Sequence, residues 1–291
     1  MTATLISAEQ LAAALGDDRL RIIDATVLKG EGDLWSVLSG QQAFAKAHIP
    51  GATFADLIEE FSDVTRETDP TGTMRAYALP TPEQFALAAR RHGVSANTVV
   101  VCYDQGPGMW ATRLWWLFKV FGHKDVTVLN GGLGAWQRAG YPTEQGESRF
   151  PPPGDFTPAA PYIPVATTND VMNIVDELDT DTILVNVLDE RSFRGEADTA
   201  LPRKGHIPNS INLPFASLYT ETGEFLDDDA LRQQFLAAGI DGTRPVVTYC
   251  GGGIAATIHA FTLNRLGIEA SVYDGSLFAW TQDPNRPLET G

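Results

Sequence analysis

The segment PVVTYCGGGIAA, residues 245–256, places a cysteine between a strand-like run and a helix-like run. Residues 246–249 are apolar, β-branched or aromatic, which is typical of a buried strand. The three glycines after Cys250 let the backbone turn sharply and direct several N–H groups at one place. Residues 254–266 then carry apolar side chains at helical spacing, so we expect a strand, a tight loop and a helix in succession.

Cys250 is therefore a candidate nucleophile. A sulfur in this position lies near converging amide dipoles and the positive end of a helix, and both favour the thiolate form. The alternative is an inert cysteine buried after a strand, as free cysteines usually are. The glycine loop and the following helix favour the reactive interpretation. Cys102 lies inside the apolar run 99–103, so we expect that cysteine to be buried and inert.

The composition is that of a soluble globular protein with enough residues for two domains: 291 residues, of which 43% are apolar and 20% charged. The net charge of −16 argues against a nucleic-acid partner. No run approaches the ~18 apolar residues of a membrane span, and the first ten residues lack the pattern of a signal peptide. The two cysteines have no metal-ligand spacing, so we expect no metal site and a cytoplasmic protein.

The chain contains two copies of one pattern in the same order. The matched segments are 21–26 with 183–188, 48–52 with 206–210, 99–104 with 246–250, and 128–136 with 272–280. Two long copies with drifting offsets indicate a duplicated domain. The proline-rich stretch at 150–161 lies between the copies and is typical of a linker.

Within each copy, short β-rich runs alternate with helical patterns. Helices are predicted at 82–92 and 110–121 in the first copy, and at 229–238 and 254–266 in the second. This alternation predicts an α/β fold with a mainly parallel sheet flanked by helices. Ligands of such sheets bind beyond the carboxyl ends of the strands, which is where Cys250 falls.

Taken together, these motifs resemble the tandem-domain rhodanese family of sulfurtransferases. The resemblance rests on the two His-Ile-Pro segments, the paired strand-loop-helix units, the two segments that end in Ala-Trp, and the CGGGIA loop. It implies a rhodanese-like domain at 1–149, a linker at 150–164 and a second rhodanese-like domain at 165–291 that carries the cysteine. Asp104 occupies the position that corresponds to Cys250, so the first domain is expected to be catalytically silent.

The resemblance also implies the chemistry. Cys250 would take a sulfane sulfur from a small donor such as thiosulfate or 3-mercaptopyruvate and pass it, as a persulfide, to cyanide or a thiol. No metal or organic cofactor is needed. The loop residues would stabilise the sulfur anion and bind the substrate: Gly251, Gly252, Gly253, Ile254 and Ala255. Because two domains already supply the facing walls of a cleft, we expect a monomer.

The sequence departs from familiar members of the family in its charges. No basic residue follows Cys250 until Arg265, and Gly252 stands where a mercaptopyruvate-type loop has serine. Ser192 occupies the usual position of the anion-binding arginine. The candidates for that role are Arg194, beside a glycine, and then Arg191 and Arg203. Met109 and Trp110 follow Asp104 and are expected to wall the cleft that faces Cys250.

Two other functions compete with this interpretation. A phosphatase of the Cys-x5-Arg kind also uses a strand-loop-helix thiolate, but it needs an arginine where this chain has Ala256. The second is a non-catalytic rhodanese-like binding or regulatory module. The loss of basic loop residues favours such a module, whereas the retained cysteine and its three glycines favour the enzyme.

Overall fold

The computed structural model describes residues 4–30, 37–63 and 77–291. Its helices are α1 (Ala8–Ala14), α2 (Gln41–Lys46), α3 (Pro82–Arg91), α4 (Met109–Val120), α5 (Gly132–Arg138), α6 (Thr168–Val175), α7 (Glu190–Phe193), α8 (Asp228–Ala237), α9 (Ala256–Arg265) and α10 (Ser276–Gln282). Its strands are β1 (Leu5–Ile6), β2 (Leu20–Asp24), β3 (Val27–Lys29), β4 (Val37–Ser39), β5 (Thr53–Phe54), β6 (Val99–Tyr103), β7 (Val126–Leu129), β8 (Val165–Ala166), β9 (Ile183–Asn186), β10 (Ser210–Asn212), β11 (Val246–Tyr249) and β12 (Ala270–Tyr273).

The predicted duplication is confirmed by the two main sheets. The first has the strand order β1-β7-β6-β2-β5 and the second β8-β12-β11-β9-β10, and neighbouring strands in both are parallel. The two orders match strand for strand. Each half is therefore an α/β domain built on a parallel sheet, with a small antiparallel pair, β3 and β4, added to the first.

Helix starts follow local capping chemistry. Ser7, Thr81 and Thr167 each form a capping box, in which the hydroxyl accepts the N3 amide and the N3 side chain accepts the cap amide. The helices predicted around the two central strands are present within two residues of the expected bounds. The largest difference is α9, which begins at Ala256, because Ile254 and Ala255 belong to the loop after Cys250.

The corresponding parts of the two domains are held by the same contacts. His48 and His206 each stack on a phenylalanine ring and place Nδ1 2.8 Å from a backbone carbonyl oxygen. The hydroxyls of Tyr103 and Tyr249 accept the amide that follows each histidine. Each His-Ile-Pro segment therefore ties a loop to the central strand of its sheet.

The two domains share one hydrophobic core. Helix α4 of the first domain packs on α9 of the second, with the Trp115 ring edge-on to Phe261 at 5.0 Å. Cys250 belongs to the buried cluster that continues through this contact. Since each of these helices follows the loop at the end of a central strand, the packing brings the two loops to the same junction.

The proline-rich segment lies along the first domain. The amide of Gly154 donates to Arg90 O at 2.8 Å, and the amide of Ala159 donates to Phe121 O at 3.0 Å. Phe156 is buried against Phe85. The connection to the second domain is therefore a strap fixed by backbone hydrogen bonds and one buried ring.

The corresponding strands β2 and β9 end in different residues. Asp24 ends β2 and Asn186 ends β9, and each side chain accepts the amide two residues later, at 2.8 and 2.9 Å. Both residues are fully buried. Burial raises the pKa of Asp24 to about 6, so the first domain carries a carboxylate that is more easily ionised in the unfolded chain than in the folded one.

Asp24→Asn introduces the residue that the second domain has at the matching position. We expect this variant to lack the loss of folding stability that ionisation of Asp24 causes as the pH rises. A carboxyl whose folded pKa is raised contributes stability at low pH that disappears as the pH rises from about 4 to about 6. The variant should match the unmodified protein at pH 4 and exceed its free energy of unfolding at pH 8 by on the order of 2 kcal/mol. Urea unfolding at both pH values measures this, with the exposed Asp18→Asn as control. Equal effects at the two pH values would contradict the assignment.

Candidate functional site

Cys250 directly follows β11 and is 2% exposed. Its Sγ accepts a hydrogen bond from the amide of Gly253 at 3.2 Å. The sulfur therefore lies inside the turn that its own loop makes before α9 begins. An amide donor and the positive end of α9, a helix of ten residues, favour negative charge on this sulfur.

Gly253 shapes the turn. Its φ of +86° lies in the left-handed region, and a Cβ there would come within 2.5 Å of the carbonyl oxygen of Asp274. No larger residue fits without displacing Asp274, the residue that follows β12. The third glycine of the motif is thus required by both conformation and space.

Helix α10 fixes the other side of the loop. The amides of Leu277 and Phe278 donate to Cys250 O and Gly251 O, at 3.0 and 2.8 Å. Ser276 Oγ accepts the amide of Cys250 at 3.1 Å and lies 3.9 Å from its Sγ. The reactive residue is therefore anchored at its amide, its carbonyl and its sulfur.

The sequence analysis missed Ser276. This residue has a φ of +49°, unusual for a side chain other than glycine, and the matching residue of the first domain is Gly132, with a φ of +55°. A serine in a left-handed position beside a reactive group is the kind of strained residue found at functional sites. The comparison of the two copies could have found it, because the segment changes from Gly-Gly-Leu to Gly-Ser-Leu.

Arg113 reaches from the first domain into this loop. It lies on α4, is 1% exposed, and donates from Nη1 to Asp274 Oδ1 at 2.6 Å and to Gly253 O at 3.2 Å. Its Nη2 donates to Tyr77 O at 2.5 Å. One guanidinium therefore fixes the loop of the second domain and a segment of the first. Nothing in the local sequence distinguishes Arg113 from other helical arginines.

A cavity of about 320 Å³ opens beside Cys250 at the junction of the two domains. Of the five loop residues predicted to bind substrate, Gly251, Gly252, Ile254 and Ala255 line it, and Gly253 does not. The first domain adds side chains to the facing wall: Tyr77, Met109 and Trp110. Met109 and Trp110 thus lie beside the cleft in the structure.

The three candidate arginines lie in different places. Arg203 lines the cavity, but its guanidinium donates to the backbone carbonyls of Thr281, Asp283 and Arg286. Arg194 is exposed on the far end of α7, where its Nη2 donates to Glu190 Oε1 at 2.6 Å. Neither Arg194 nor Arg191 is among the residues that line the cavity.

The matching loop of the first domain holds its own anion. The buried carboxylate of Asp104 accepts four backbone amides at 2.8–3.0 Å, from Gly106, Gly108, Trp110 and Ala111. The amide of Leu133 donates to Asp104 O at 3.0 Å, as Leu277 does to Cys250 O. Burial raises the pKa of Asp104, while the amides oppose that shift. The first loop is thus filled by a side chain that cannot carry a sulfur atom.

The described parts of the chain contain no group of three or more histidine, cysteine or carboxylate side chains placed to hold a metal ion. No helix among them is long and apolar enough to cross a membrane. Cys102 is buried, and burial raises the pKa of its thiol well above the usual value, as expected for an inert cysteine.

The model of the rhodanese-like domain matches residues 7–139 and again residues 167–283. A 3-mercaptopyruvate sulfurtransferase of Escherichia coli K12 is 33% identical over 292 residues, which cover 99% of this chain and 98% of the relative. Thiosulfate/3-mercaptopyruvate sulfurtransferase 2 of Arabidopsis thaliana is 32% identical over 98% of this chain and 86% of the relative. The crystal structure of SseA from Escherichia coli, a 3-mercaptopyruvate sulfurtransferase, matches with a TM-score of 0.80 at 32% identity, over 94% of this chain and 99% of SseA.

Arg113→Met is expected to destabilise the protein far more than loss of a surface ion pair. Removing one partner of a buried pair leaves the other desolvated, which costs about 3–5 kcal/mol. Arg138→Met is the matched control, because Arg138 pairs with Glu224 across the same domain junction but is half exposed. That control should cost about 1 kcal/mol or less. Urea unfolding of both variants measures the difference, and equal losses would overturn the assignment of Arg113.

Proposed function

The chain belongs to the rhodanese family and is a rhodanese-type sulfurtransferase, and from this premise we propose that Cys250 carries a sulfane sulfur between a small donor and a thiophilic acceptor. The donor is of the thiosulfate or 3-mercaptopyruvate class, and the acceptor is cyanide or a thiol. One observation carries the proposal: Sγ of Cys250 lies against a loop amide, at the foot of a cavity of about 320 Å³.

The first half-reaction loads the sulfur. The Cys250 thiolate attacks the outer sulfur of thiosulfate, a new S–S bond forms, and the old one breaks so that sulfite leaves with the electron pair. With 3-mercaptopyruvate, the C–S bond breaks instead and the pyruvate enolate leaves and takes a proton. The Gly253 amide stabilises the attacking thiolate.

The second half-reaction unloads it. Cyanide or a thiolate attacks the outer sulfur of the Cys250 persulfide, a bond to that sulfur forms, and the Sγ–S bond breaks. Cys250 is released as its thiolate, and the product is thiocyanate or the persulfide of the acceptor thiol. The loop residues Gly251, Gly252, Ile254 and Ala255 line the place that the outer sulfur and its attacker must share. The two steps use one site in turn, so the kinetics should be ping-pong.

The cation that binds an anionic donor is part of the proposal. Arg203 and Lys204 line the cavity and are the cations best placed to meet a donor. The sequence prediction for Arg194 stays a prediction, because its guanidinium would first have to leave Glu190. The same holds for Arg191, which is exposed on α7.

The first domain, bounded at residue 149, is proposed to be catalytically silent but necessary. Its Asp104 carboxylate already occupies the amides of the matching loop. It contributes Trp110, which lines the cavity, and Arg113, which binds the reactive loop.

We also propose that the protein is a monomer in the cytoplasm, consistent with its two free cysteines. Light scattering of the purified protein tests the monomer.

Cys250→Ser is expected to lower thiosulfate:cyanide and mercaptopyruvate:cyanide transfer by at least about three orders of magnitude, because the hydroxyl is a far weaker nucleophile toward sulfur. Cys102→Ser is the matched control and should keep the activity, since Cys102 lies inside the first sheet. Initial rates over a grid of donor and cyanide concentrations should give the parallel double-reciprocal lines of a ping-pong mechanism. Full activity of Cys250→Ser would refute the proposal, and no activity of the unmodified protein with any donor would favour a binding module.

A further inference from the structure

One wall of the cavity beside Cys250 is a loop that returns to its own starting point. Residues 195–205 supply more of the cavity lining than any other segment, and we call them the cavity loop. A Cβ built on Gly195 would lie 3.2 Å from the amide nitrogen of Gly205, so the two ends of the loop lie side by side. A compact surface loop whose ends meet in this way is an Ω-loop.

The backbone of the cavity loop is held weakly. Among the described residues, the amides and carbonyls of residues 198–205 form no hydrogen bond with other backbone groups. Gly195 and Gly205 have φ values of +75° and +121°, so both ends lie in a region of backbone conformation that glycine enters without strain. A segment with few backbone hydrogen bonds opens at a low cost in free energy, so side chains must hold this wall in place.

Arg203 anchors the cavity loop to the end of α10. Its guanidinium donates to three backbone carbonyls: from Nη1 to Arg286 O at 2.8 Å, from Nη2 to Asp283 O at 2.9 Å and from Nε to Thr281 O at 3.4 Å. Thr281 lies in the last turn of α10 and Asp283 follows its end, so the positive charge faces the negative end of the helix dipole. Hydrogen bonds from a charged donor are among the stronger ones.

The other contacts of the cavity loop are weaker. Leu201 is half-buried and packs against the hydrophobic cluster that contains Leu277. Lys204 Nζ lies 3.1 Å from Asp198 Oδ1, but this exposed ion pair joins two residues of the loop itself. Among the described residues, Arg203 is therefore the polar side chain that ties the wall to the rest of the domain.

Helix α10 connects this anchor to the reactive loop. At its first turn, the amides of Leu277 and Phe278 donate to the carbonyls of Cys250 and Gly251, and at its other end it receives Arg203. The wall and the sulfur are thus positioned by the same helix. Because Cys250 is only 2% exposed, the space between the wall and the reactive loop limits what can reach the sulfur.

We propose that Arg203 is a positioning residue, which determines how large an acceptor can reach the Cys250 persulfide by holding the cavity loop against α10. This role rests on the proposed sulfurtransferase function. Cyanide enters while the loop is closed, whereas a thiol on a larger molecule requires the loop to move away about Gly195 and Gly205. The guanidinium would have to release its carbonyls to meet a donor, so Lys204 remains as the lining cation for that purpose.

Alkylation of Cys250 by N-ethylmaleimide and by N-(1-pyrenyl)maleimide measures the opening of the loop without any sulfur transfer. The two probes share one reactive group and differ in size, and mass spectrometry of the peptide that contains Cys250 gives both rate constants. Arg203→Met should raise the ratio of the pyrenyl to the ethyl rate constant about tenfold or more, because loss of the anchor increases the open population. Arg244→Met is the matched control and should leave the ratio unchanged. Arg244 also donates to two backbone carbonyls, but it precedes β11, at the end opposite to Cys250.

Arg203→Lys separates an anchor from a charge. The variant keeps a positive charge beside the cavity, but an ammonium group cannot reproduce the fork of a guanidinium, so the ratio should rise as it does with methionine. Leu201→Ala loosens the same loop through its packing and should change the ratio in the same direction, even if the arginine variants fail to fold. A ratio that rises with methionine but not with lysine, or that stays constant in all the folded variants, would overturn the role of Arg203.

Unloading of the persulfide tests the consequence for acceptors. With the sulfur already on Cys250, the rate constant for glutathione divided by that for cyanide should be higher in Arg203→Lys than in the unmodified protein. An unchanged acceptor ratio would overturn the proposal and leave the sulfurtransferase function intact. If no donor loads Cys250 although the maleimide ratio rises, the sulfurtransferase function fails and Arg203 is still the anchor of the loop.

Discussion

The geometry of the reactive loop depends on one buried ion pair that crosses the two domains. The guanidinium of Arg113 bonds to the Asp274 carboxylate and the Gly253 carbonyl, and Gly253 supplies the amide that contacts the sulfur. A buried pair of this kind is costly to desolvate and does little for stability unless its remaining hydrogen bonds are met. Here they are met by the backbone carbonyls of Gly253 and Tyr77.

This constraint gives the first domain a structural role at the site, although Asp104 stands in its loop where the second domain has Cys250. It contributes the clamp through Arg113 and the facing wall through Tyr77 and Trp110. Trp110 and Arg113 lie on α4, the helix that follows β6 and its loop, and Arg113 holds Tyr77 through its carbonyl. A second domain alone would lack one side of its cavity and the support of its loop.

The two domains show how one scaffold holds two kinds of anion. At the end of the central strand, one loop wraps a carboxylate with four amides and the other presents a sulfur to a cavity with one. The neighbouring helix begins with Gly132 in the first domain and Ser276 in the second, both left-handed. The two domains therefore share the backbone conformation of the turn, which the fold determines, and differ in the side chain that the turn presents, which determines the chemistry.

The sequence predicted what depends on local pattern and repetition. The strand, glycine loop and helix around Cys250 follow from residue types that have few other uses in that order. The repeat predicted the two matching sheets and the place of Trp110 at the cleft. These features need no knowledge of long-range contacts.

The parts that sequence reasoning missed depend on such contacts. Arg113 looks like any helical arginine until the helices of both domains are packed together. Tyr77 becomes informative only through its burial beside the cavity at the domain junction. For Arg194 the sequence offers only the glycine that follows it, and proximity to a bend in the chain does not tell which way the guanidinium points.

The measurement that tests the central claim most directly is the intact mass of the protein after incubation with each sulfur donor and removal of the excess. The account predicts a gain of one sulfur atom, located on the peptide that contains Cys250 and released as thiocyanate by cyanide. A protein that gains no sulfur, or gains it on the peptide that contains Cys102, would contradict the account.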